Sequence, residues 1–266
     1  MKIGFIGTGN MGGALARAAA KGGHTLLLAN RTPAKAAVLA KELGGTVCQN
    51  AEAAETAELL FLGVKPQGLP GLAGELAPVL QARKGNAPVV VSMATAVTLR
   101  ELDAMLGGGL PLIRIMPNTP AAVGAGTILY AAQNVTDAQL NAFRAVLAQA
   151  GLLLPLPEAQ IDAASAISGC GPAFCFQFAD ALALGGVRAG LSYPDACRLA
   201  AQTMLGAAEM LLQGGEAPDV LKMRVCSPAG TTIEGVLALE QGGFSYTVQN
   251  AVTAAYRRTV EMTRKG

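Results

Sequence analysis

Three glycines close to the N-terminus have the spacing of a turn that binds phosphate. They lie in Gly7-Thr8-Gly9-Asn10-Met11-Gly12, a G-x-G-x-x-G pattern between an apolar run, Lys2 to Ile6, and an alanine-rich stretch. The first glycine of such a turn permits a tight bend, the second lets the backbone approach a pyrophosphate, and the third lets the next helix pack closely. The N–H groups at the start of that helix attract the phosphates. A strand before the glycines and a helix after them are the context that dinucleotide binding requires, so we predict a dinucleotide site here.

The end of the second predicted strand bears on which dinucleotide binds. Enzymes that use NAD usually place Asp or Glu there, to accept a hydrogen bond from the ribose 2′-hydroxyl. This chain has Asn30-Arg31-Thr32 instead. A carboxylate would repel a 2′-phosphate, whereas an arginine pairs with it. We therefore expect NADP(H), with NAD(H) as the weaker alternative. A solvated surface charge is the other interpretation of Arg31.

A lysine and a proline follow the fourth predicted strand, in Gly63-Val64-Lys65-Pro66. Ligands of doubly wound sheets lie beyond the carboxyl ends of the strands, which is where this segment falls. The proline restricts the conformation of the loop. Position alone allows Lys65 to face either a cofactor or the solvent, and both interpretations stay open.

A segment near the C-terminus is suited to hold a carboxylate. Ser227-Pro228-Ala229-Gly230-Thr231-Thr232 is predicted to open a helix, with Ser227 as its N-cap and Pro228 at its first position. The exposed N–H groups and the two threonine hydroxyls of such a turn suit a carboxylate ligand. An ordinary capped helix is the alternative interpretation.

The chain has a single histidine, and its position is not typical of a catalytic residue. The one histidine, His24, follows Gly22-Gly23 and is predicted to be a turn residue. This argues against a Ser-His-Asp triad, a histidine-rich metal site and a histidine-based dehydrogenase. Cys170 lies in the glycine-rich segment Ser168 to Pro172 without an evident histidine or acid partner, so a close-packed turn is favoured over a nucleophile. We predict no bound metal.

Without a general acid, reduction of an imine is less demanding than reduction of a ketone. Alcohol–ketone dehydrogenases need a group that exchanges the proton of the oxygen, usually His, Lys or Tyr. The nitrogen of a cyclic imine is basic enough to be protonated by solvent, and the resulting iminium accepts hydride directly. The protein then mainly has to position the ring against the nicotinamide.

The elements that must position these motifs fall into two domains. Up to Pro157, short apolar strands alternate with helices, which indicates a mostly parallel sheet covered on both faces. After Pro157, strand patterns stop and helical stretches rich in alanine and leucine follow. We predict an α/β protein with a Rossmann-type doubly wound domain over 1–157 and an all-α domain over 158–266 that forms the subunit interface. The predicted strands are Lys2 to Ile6, Thr25 to Ala29, Thr46 to Gln49, Leu59 to Val64, Pro88 to Ser92, Leu112 to Met116 and Thr127 to Ala131, and the predicted helices are Asn10 to Lys21, Pro33 to Leu43, a helix after Pro66, Ile161 to Ile167, Pro172 to Ala189, Pro194 to Gln213 and Gly243 to Arg264.

The composition of the 266 residues favours an oligomer. The chain is 52% hydrophobic and 14% charged, against about 25% charged in typical soluble domains. No run of about 18 apolar residues is free of Gly, Pro and charge, so we expect apolar surface buried between subunits and no membrane contact. The basic residues are scattered, so no nucleic-acid partner is predicted. Met1 leads straight into a strand and the five cysteines lack zinc spacing, which predicts free thiols in the cytoplasm.

Taken together, several of these segments resemble pyrroline-5-carboxylate reductase, the family of the last step of proline synthesis. The resemblance spans nearly the whole chain, and Ser227 to Thr232 is its most specific part. It implies reduction of 1-pyrroline-5-carboxylate to L-proline with NAD(P)H. It also implies an all-α C-terminal dimerisation domain, a homodimer of intertwined helices and often a homodecamer. The other segments that carry it are Ile3 to Met11, Gly63 to Pro66, Met116 to Pro120 and Ser168 to Pro172.

The resemblance further implies roles for individual residues. The Thr232 hydroxyl is expected near the ring nitrogen as the candidate catalytic group, and Glu158 matches a position near the substrate. The residues expected to hold the substrate carboxylate, partly with the neighbouring subunit, are Ser227, Gly230, Thr231 and Thr232. The predicted cofactor contacts are Ile6, Gly7, Thr8, Gly9, Asn10, Met11, Gly12, Asn30, Arg31, Thr32, Asn50, Val64, Lys65, Pro66, Met93 and Thr95.

Three further positions are interpreted through the same resemblance. The segment around Asn118 is expected to line the nicotinamide end of the site. Ala229 stands where many relatives have glycine, and its added methyl is expected to have little effect. Cys170 stands where many relatives have serine, which again argues against a nucleophilic thiol.

Two other functions remain as alternatives. A β-hydroxyacid dehydrogenase has the same two-domain plan but needs a catalytic lysine on the helix after the sheet domain. Ser168 to Ala189 contains no lysine, and the next one after Lys84 is Lys222, which counts against this class. The other alternative is a non-catalytic NADP-sensing protein, for which a carboxylate-binding turn would have no purpose.

Overall fold

The fold is described from a computed structural model that covers residues 1–83 and 85–263. The strands are β1 Lys2–Ile6, β2 Thr25–Ala29, β3 Thr46–Val47, β4 Leu59–Leu62, β5 Val89–Ser92, β6 Leu112–Met116, β7 Gly126–Gln133 and β8 Gly151–Pro155. The helices are α1 Asn10–Ala20, α2 Pro33–Leu43, α3 Asn50–Thr56, α4 Leu69–Ala82, α5 Leu99–Met105, α6 Asp137–Leu147, α7 Glu158–Ser168, α8 Gly171–Arg188, α9 Tyr193–Gly214, α10 Pro218–Val225, α11 Thr231–Gln241 and α12 Phe244–Thr263.

The eight strands form one sheet in the order β3-β2-β1-β4-β5-β6-β7-β8. All neighbouring strands run parallel except β6 and β7, which are antiparallel. The strand order reverses between β1 and β4, and a doubly wound sheet binds its ligand outside the carboxyl ends of the strands at that point. The predicted Rossmann-type, mostly parallel sheet is confirmed.

Both faces of the sheet are covered because the central strands are apolar throughout. β4 and β5 are buried at every position, as expected for parallel strands with helices on both sides. On one face, the rings of Phe5 and Phe61 stack with centroids 4.6 Å apart. On the other face, Leu60 and Val90 are fully buried. The two cores hold the strand ends, and therefore the loops after them, in fixed positions.

The predicted strands and long helices agree with the structure within a few residues, and the differences are local. The predicted helix Pro172 to Ala189 is α8, which is continuous through Gly185-Gly186. Four helices, α3, α5, α6 and α10, and the edge strand β8 were not predicted. The predicted N-terminus of the helix at Ser227 is wrong. Gly230 is the N-cap of α11, because Ser227 to Gly230 form a turn in which the Gly230 N–H donates to the Ser227 carbonyl at 3.0 Å. Of the predicted helix Gly243 to Arg264, Arg264 lies outside the described residues.

The chain divides into two units, Met1–Gly169 with the end of α12 from Tyr256, and Cys170–Ala255. The predicted boundary at 157/158 lies before helix α7, whereas the structure places α7 in the first unit. Ile161 of α7 is fully buried in the core of that unit, and Asp162 pairs with Arg114 of β6 at 2.6 Å. Apolar packing and an ion pair therefore join α7 to the sheet.

The helical unit has little interior of its own. Within Cys170–Ala255, all of which the structure describes, the buried hydrophobic residues are three alanines, Ala183, Ala196 and Ala200. Large apolar side chains are exposed instead, among them Phe176 at 70% and Leu212 at 82%. Exposed apolar surface on this scale marks an interaction surface.

By length and composition alone, one helical stretch of the described residues is apolar enough to cross a membrane. This stretch, Glu158–Arg188, contains α7, α8 and the residues between them. It is interrupted by Gly169, Gly171 and Pro172. The expected lack of membrane contact stays a prediction.

Candidate active site

A cleft of about 690 Å³ opens at the carboxyl ends of β1, β2 and β4, at the reversal of strand order. Eight of the predicted cofactor residues line it, and five further residues complete the lining. The predicted ones are Ile6, Gly7, Gly9, Asn30, Arg31, Asn50, Val64 and Lys65, and the others are Gly63, Gln67, Gly68, Leu72 and Glu75.

The three glycines of the first turn are required for different reasons. Gly7 has φ of 98°, and a Cβ there would lie 2.4 Å from the Gly63 carbonyl oxygen. A Cβ on Gly12 would lie 2.1 Å from the Gly7 carbonyl oxygen, so this glycine brings α1 against the turn. A Cβ on Gly9 would meet nothing within 4 Å. No packing within the described residues explains Gly9, so the open space beside it is available to a ligand.

That space fits a dinucleotide phosphate. Gly9 is the N-cap of α1 and makes no side-chain cap, so the first N–H groups of this helix can bind an anion. In the described part of the chain, the Thr8 hydroxyl is buried without a hydrogen-bond partner. An unsatisfied buried hydroxyl is costly, and a phosphate oxygen at the turn would satisfy it.

Asn30 joins the glycine turn to the loop that carries Arg31. Its Oδ1 accepts from the Thr8 N–H at 3.4 Å, and its Nδ2 donates to the Thr32 carbonyl at 3.0 Å. The Asn30 amide is therefore engaged within the protein, while Arg31 is exposed at the edge of the cleft. Because β2 ends beside β1, the exposed Arg31 lies on the same side of the cleft as the predicted ribose position. Its contact with a 2′-phosphate stays a prediction.

The loop after β4 forms the opposite wall. The Gly63 N–H donates to the Ile6 carbonyl at 2.7 Å, which holds the ends of β4 and β1 together. Lys65 is the N-cap of the short 3-10 helix Pro66–Gly68, and its side chain is exposed at the cleft. Lys65 is thus exposed on the wall of the cleft, and both interpretations of it, a cofactor contact and a solvated charge, stay predictions.

Other predicted cofactor residues lie beside the cleft lining. Met93 and Thr95 follow β5 and are half-buried, and Met93 packs on the core. The next residue, Ala96, has φ of 62°, a left-handed conformation that is strained for alanine. The predicted residues that are not among those lining the cleft are Thr8, Asn10, Met11, Gly12, Thr32, Pro66, Met93 and Thr95.

Asn118, predicted to line the nicotinamide end, ties three segments of the chain together. Its Nδ2 donates to the Ser168 carbonyl at 2.8 Å, and its Oδ1 accepts from the Thr127 N–H at 2.8 Å. The side chain is 7% exposed. The amide thus holds the end of α7 and the start of β7 beside the loop after β6.

Glu158, predicted to lie near the substrate, is held by the protein's own groups. One of its oxygens, Oε1, accepts from the Leu99 N–H at 2.7 Å and from Arg114 Nη1 at 3.3 Å. Arg114 also pairs with Asp162, at 2.6 Å, and is 3% exposed. This network was not predicted. A lone arginine in the apolar strand LIRIM was the available signal, since a buried charge needs partners.

The predicted carboxylate-binding turn lies in the helical unit. Thr232 is half-buried, Thr231 is exposed, and α11 begins at Thr231 without a side-chain cap. A Cβ on Gly230 would lie 2.2 Å from Ser227 Oγ, so the serine hydroxyl sits against the glycine. Ala229 has φ of 56°. The turn therefore offers uncapped N–H groups beside hydroxyls, as a carboxylate ligand requires.

The thiols are free and the histidine lies away from the cleft lining. All five cysteines are unpaired, as predicted. Burial, and to a lesser degree the Glu52 carboxylate, raise the pKa of the Cys48 thiol, which disfavours the reactive thiolate. His24 packs against Gly22 before β2.

Comparison with known proteins agrees with this arrangement. Residues 158–262 match the family model described as pyrroline-5-carboxylate reductase dimerisation, and residues 2–96 match a model described as NADP oxidoreductase, coenzyme F420-dependent. A pyrroline-5-carboxylate reductase of Synechocystis sp. is 42% identical over 81% of this chain and 79% of its own length. The chain belongs to the pyrroline-5-carboxylate reductase family.

Solved members of the family share the fold over almost the whole chain. The pyrroline-5-carboxylate reductase of Coxiella burnetii has a TM-score of 0.89 and 32% identity, and covers 97% of both chains. The Plasmodium falciparum enzyme, solved with NADP bound, has a TM-score of 0.86 and 30% identity over 99% of this chain and 98% of its own.

Proposed function

We propose that this reductase converts 1-pyrroline-5-carboxylate to L-proline with NADPH as hydride donor, the last step of proline synthesis. The observation that carries the proposal is the Gly9 cradle, an open space at a helix N-terminus beside an exposed arginine, in a chain related over its full length to pyrroline-5-carboxylate reductases. NADH fits the same cleft, but without a 2′-phosphate it leaves Arg31 unpaired.

The cleft binds and orients the cofactor. The N–H groups of the Gly7–Gly12 turn and of α1 hold the pyrophosphate, and Arg31 pairs with the 2′-phosphate. Met93 and Thr95, after β5, contact the nicotinamide half. When bound, the reduced nicotinamide supplies a hydride. By clamping the ends of β6 and α7, Asn118 and Arg114 keep the loops around that half in place.

The turn at Ser227 to Thr232 binds the substrate carboxylate, with the neighbouring subunit contributing to the site. The uncapped N–H groups of α11 and the hydroxyls of Ser227 and Thr231 donate hydrogen bonds to the carboxylate. The Thr232 hydroxyl lies near the ring nitrogen. Glu158 lies near the substrate and accepts a hydrogen bond from Arg114 at 3.3 Å. Solvent and Thr232 supply the proton of the iminium, because the chain has no histidine outside the His24 turn.

The helical unit pairs with a second copy through its exposed apolar faces. Three buried alanines cannot supply a core, whereas a permanent homodimer interface resembles a domain core cut in half. We also propose assembly into a decamer, action in the cytoplasm, and no contact with membrane or nucleic acid. The molar mass in solution by light scattering tests the oligomer: a monomeric mass at micromolar concentration would refute it.

The reaction is tested by mixing the protein with NADPH and 1-pyrroline-5-carboxylate and following the nicotinamide absorbance. We expect NADPH consumption with formation of proline. No absorbance loss, under conditions where binding of NADPH is measured independently, would refute the reductase function and favour an NADP sensor.

The role of Thr232 is tested by a pair of substitutions. Thr232→Ala should lower kcat about 10-fold, equivalent to about 1.4 kcal/mol of transition-state stabilisation, with the Kd of NADPH unchanged. Thr232→Ser keeps the hydroxyl and should retain most of the activity. An equal loss of turnover and of NADPH affinity in Thr232→Ala would show that the residue is misplaced in this scheme.

A further inference from the structure

Two side chains in the cleft, Asn50 and Glu75, are joined by a hydrogen bond that has no part in the proposed binding of the phosphates or the nicotinamide. Nδ2 of Asn50, the first residue of α3, donates to Oε2 of Glu75 on α4 at 3.1 Å. Both residues line the cleft. Glu75 is the one charged residue in the α4 sequence LPGLAGELAPVLQA. A carboxylate is unexpected in a cleft for a polyanionic ligand, because it repels phosphate.

The chemistry of the pair determines which way the Asn50 amide faces. An ionised carboxylate only accepts hydrogen bonds, so it selects the NH₂ side of the amide and excludes the flipped orientation. Oδ1 of Asn50 then remains as an acceptor, together with the remaining lone pairs of Glu75. Among the described residues, no other hydrogen bond engages the Asn50 amide.

The sheet order indicates which part of a dinucleotide would meet these acceptors. The pyrophosphate turn follows β1, the loop with Arg31 follows β2, and α3 follows β3, in the order β3-β2-β1. Moving outward along the sheet from the pyrophosphate, a ligand passes the ribose position at β2 before it reaches Asn50. The group expected there is adenosine, whose exocyclic amine and free ribose hydroxyl, the 3′-hydroxyl in NADPH, are hydrogen-bond donors.

We propose that Glu75 is a positioning residue that fixes the Asn50 amide, so that the Asn50–Glu75 pair recognises the donor groups of the adenosine moiety. The cleft then has a cationic part at Arg31 and Lys65 for phosphates and an acceptor part for adenosine. The proposal rests on the dinucleotide role of the cleft, but it does not depend on the identity of the reduced substrate.

The test compares two substitutions at Glu75 by calorimetric binding of three probes. Glu75→Ala removes the acceptor, whereas Glu75→Gln keeps an amide oxygen for Asn50 and removes only the charge. The probes are NADPH, 2′-phospho-ADP-ribose, which lacks the nicotinamide, and reduced nicotinamide mononucleotide, which lacks the adenosine. Glu55→Ala, on the exposed side of α3 and not among the residues lining the cleft, is the matched control for loss of one negative charge.

For Glu75→Ala we expect the Kd of both adenosine-containing probes to rise about 10-fold, as for loss of one charge-assisted hydrogen bond. The Kd of the mononucleotide should stay within about 2-fold, and Glu75→Gln should restore most of the affinity for the other two. Unchanged binding of 2′-phospho-ADP-ribose to Glu75→Ala would overturn the proposal. Equal weakening of all three probes would overturn it too, because it would indicate a structural role. All these readouts are independent of turnover, so they stand if the protein reduces a different imine.

Discussion

Substitution of Arg31 is expected to separate NADPH from NADH. Arg31 is exposed, follows β2 directly, and has no ion-pair partner among the described residues. Its guanidinium is therefore free to form a charge-assisted pair with a 2′-phosphate. Since NADH carries a hydroxyl at that position, only NADPH loses this pair in Arg31→Ala.

The exposure of Arg31 decides the size of the effect. A hydrogen bond to a charged group contributes about 1.5–3 kcal/mol, but pairs in water are weakened by solvent and salt. We take about 1–2 kcal/mol, which corresponds to a rise of about 5- to 30-fold in the KM for NADPH. The KM for NADH should change by less than about 2-fold, and the effect on NADPH should shrink as salt is raised.

Initial rates at saturating pyrroline-5-carboxylate, with each cofactor varied in turn, measure both constants. Lys41→Ala is the matched control, because Lys41 is exposed on α2 and not among the residues lining the cleft. If Arg31→Ala raises both KM values equally, Arg31 supports the loop and does not contact the phosphate. If Lys41→Ala has the same effect on NADPH, the cause is net charge.

Two further predictions concern stability. Arg114→Met leaves Glu158 and Asp162 without their buried partner and should lower the free energy of unfolding by about 2–4 kcal/mol, discounted from the usual 3–5 because the two carboxylates are 29% and 22% exposed. Urea unfolding measures it, and a loss no larger than that of the exposed Arg17→Met would contradict the reasoning. Ala229 is a left-handed alanine with φ of 56°. Ala229→Gly removes this strain and should raise the free energy of unfolding by about 0.5–1 kcal/mol. Ala201→Gly, inside α9, should lower it by a similar amount, and a loss in both variants would show that Ala229 is not strained.

The expectation about Ala229 shows what a sequence comparison omits. Many relatives have glycine at this position, and alanine adds one methyl group to it. From the sequence alone, this is a small change in side-chain volume. The structure gives the residue a positive φ, so the cost is conformational and arises in the backbone. Ala96, in the loop after β5, has φ of 62° and is strained in the same way. Each of the two alanines is next to a predicted site residue, Gly230 or Thr95, and such strain is common at functional sites.

The fold was predicted best at the apolar strands β1 and β2 and at the alanine-rich helix α1. Length does not explain the misses, because α6 and α1 have 11 residues each. Helices α5 and α6 were missed, although each begins with a capping box, Thr98 with Glu101 and Thr136 with Gln139. That signature is readable in a sequence. Hydrogen bonds from Thr98 lower the pKa of Glu101, as expected for a box that binds the charged form.

Contacts between distant segments account for the parts of the site that were not predicted. The Asn50–Glu75 and Arg114–Asp162 pairs join residues 25 and 48 positions apart. Their pairing depends on the order of strands in the sheet, which follows from topology and not from local pattern. At Ser227, the predicted N-cap was wrong, because the Ser227 carbonyl accepts from the Gly230 N–H in a turn and the helix begins only after Gly230.

The difference between the two units implies a division between binding and catalysis. The sheet unit has two buried cores and contains the candidate dinucleotide cleft, so we expect a single chain to bind the cofactor. The candidate carboxylate turn lies in a unit whose buried hydrophobic residues, in Cys170–Ala255, are three alanines. We expect that unit to depend on a partner for its stability. Loss of the oligomer should then abolish turnover while NADPH binding persists.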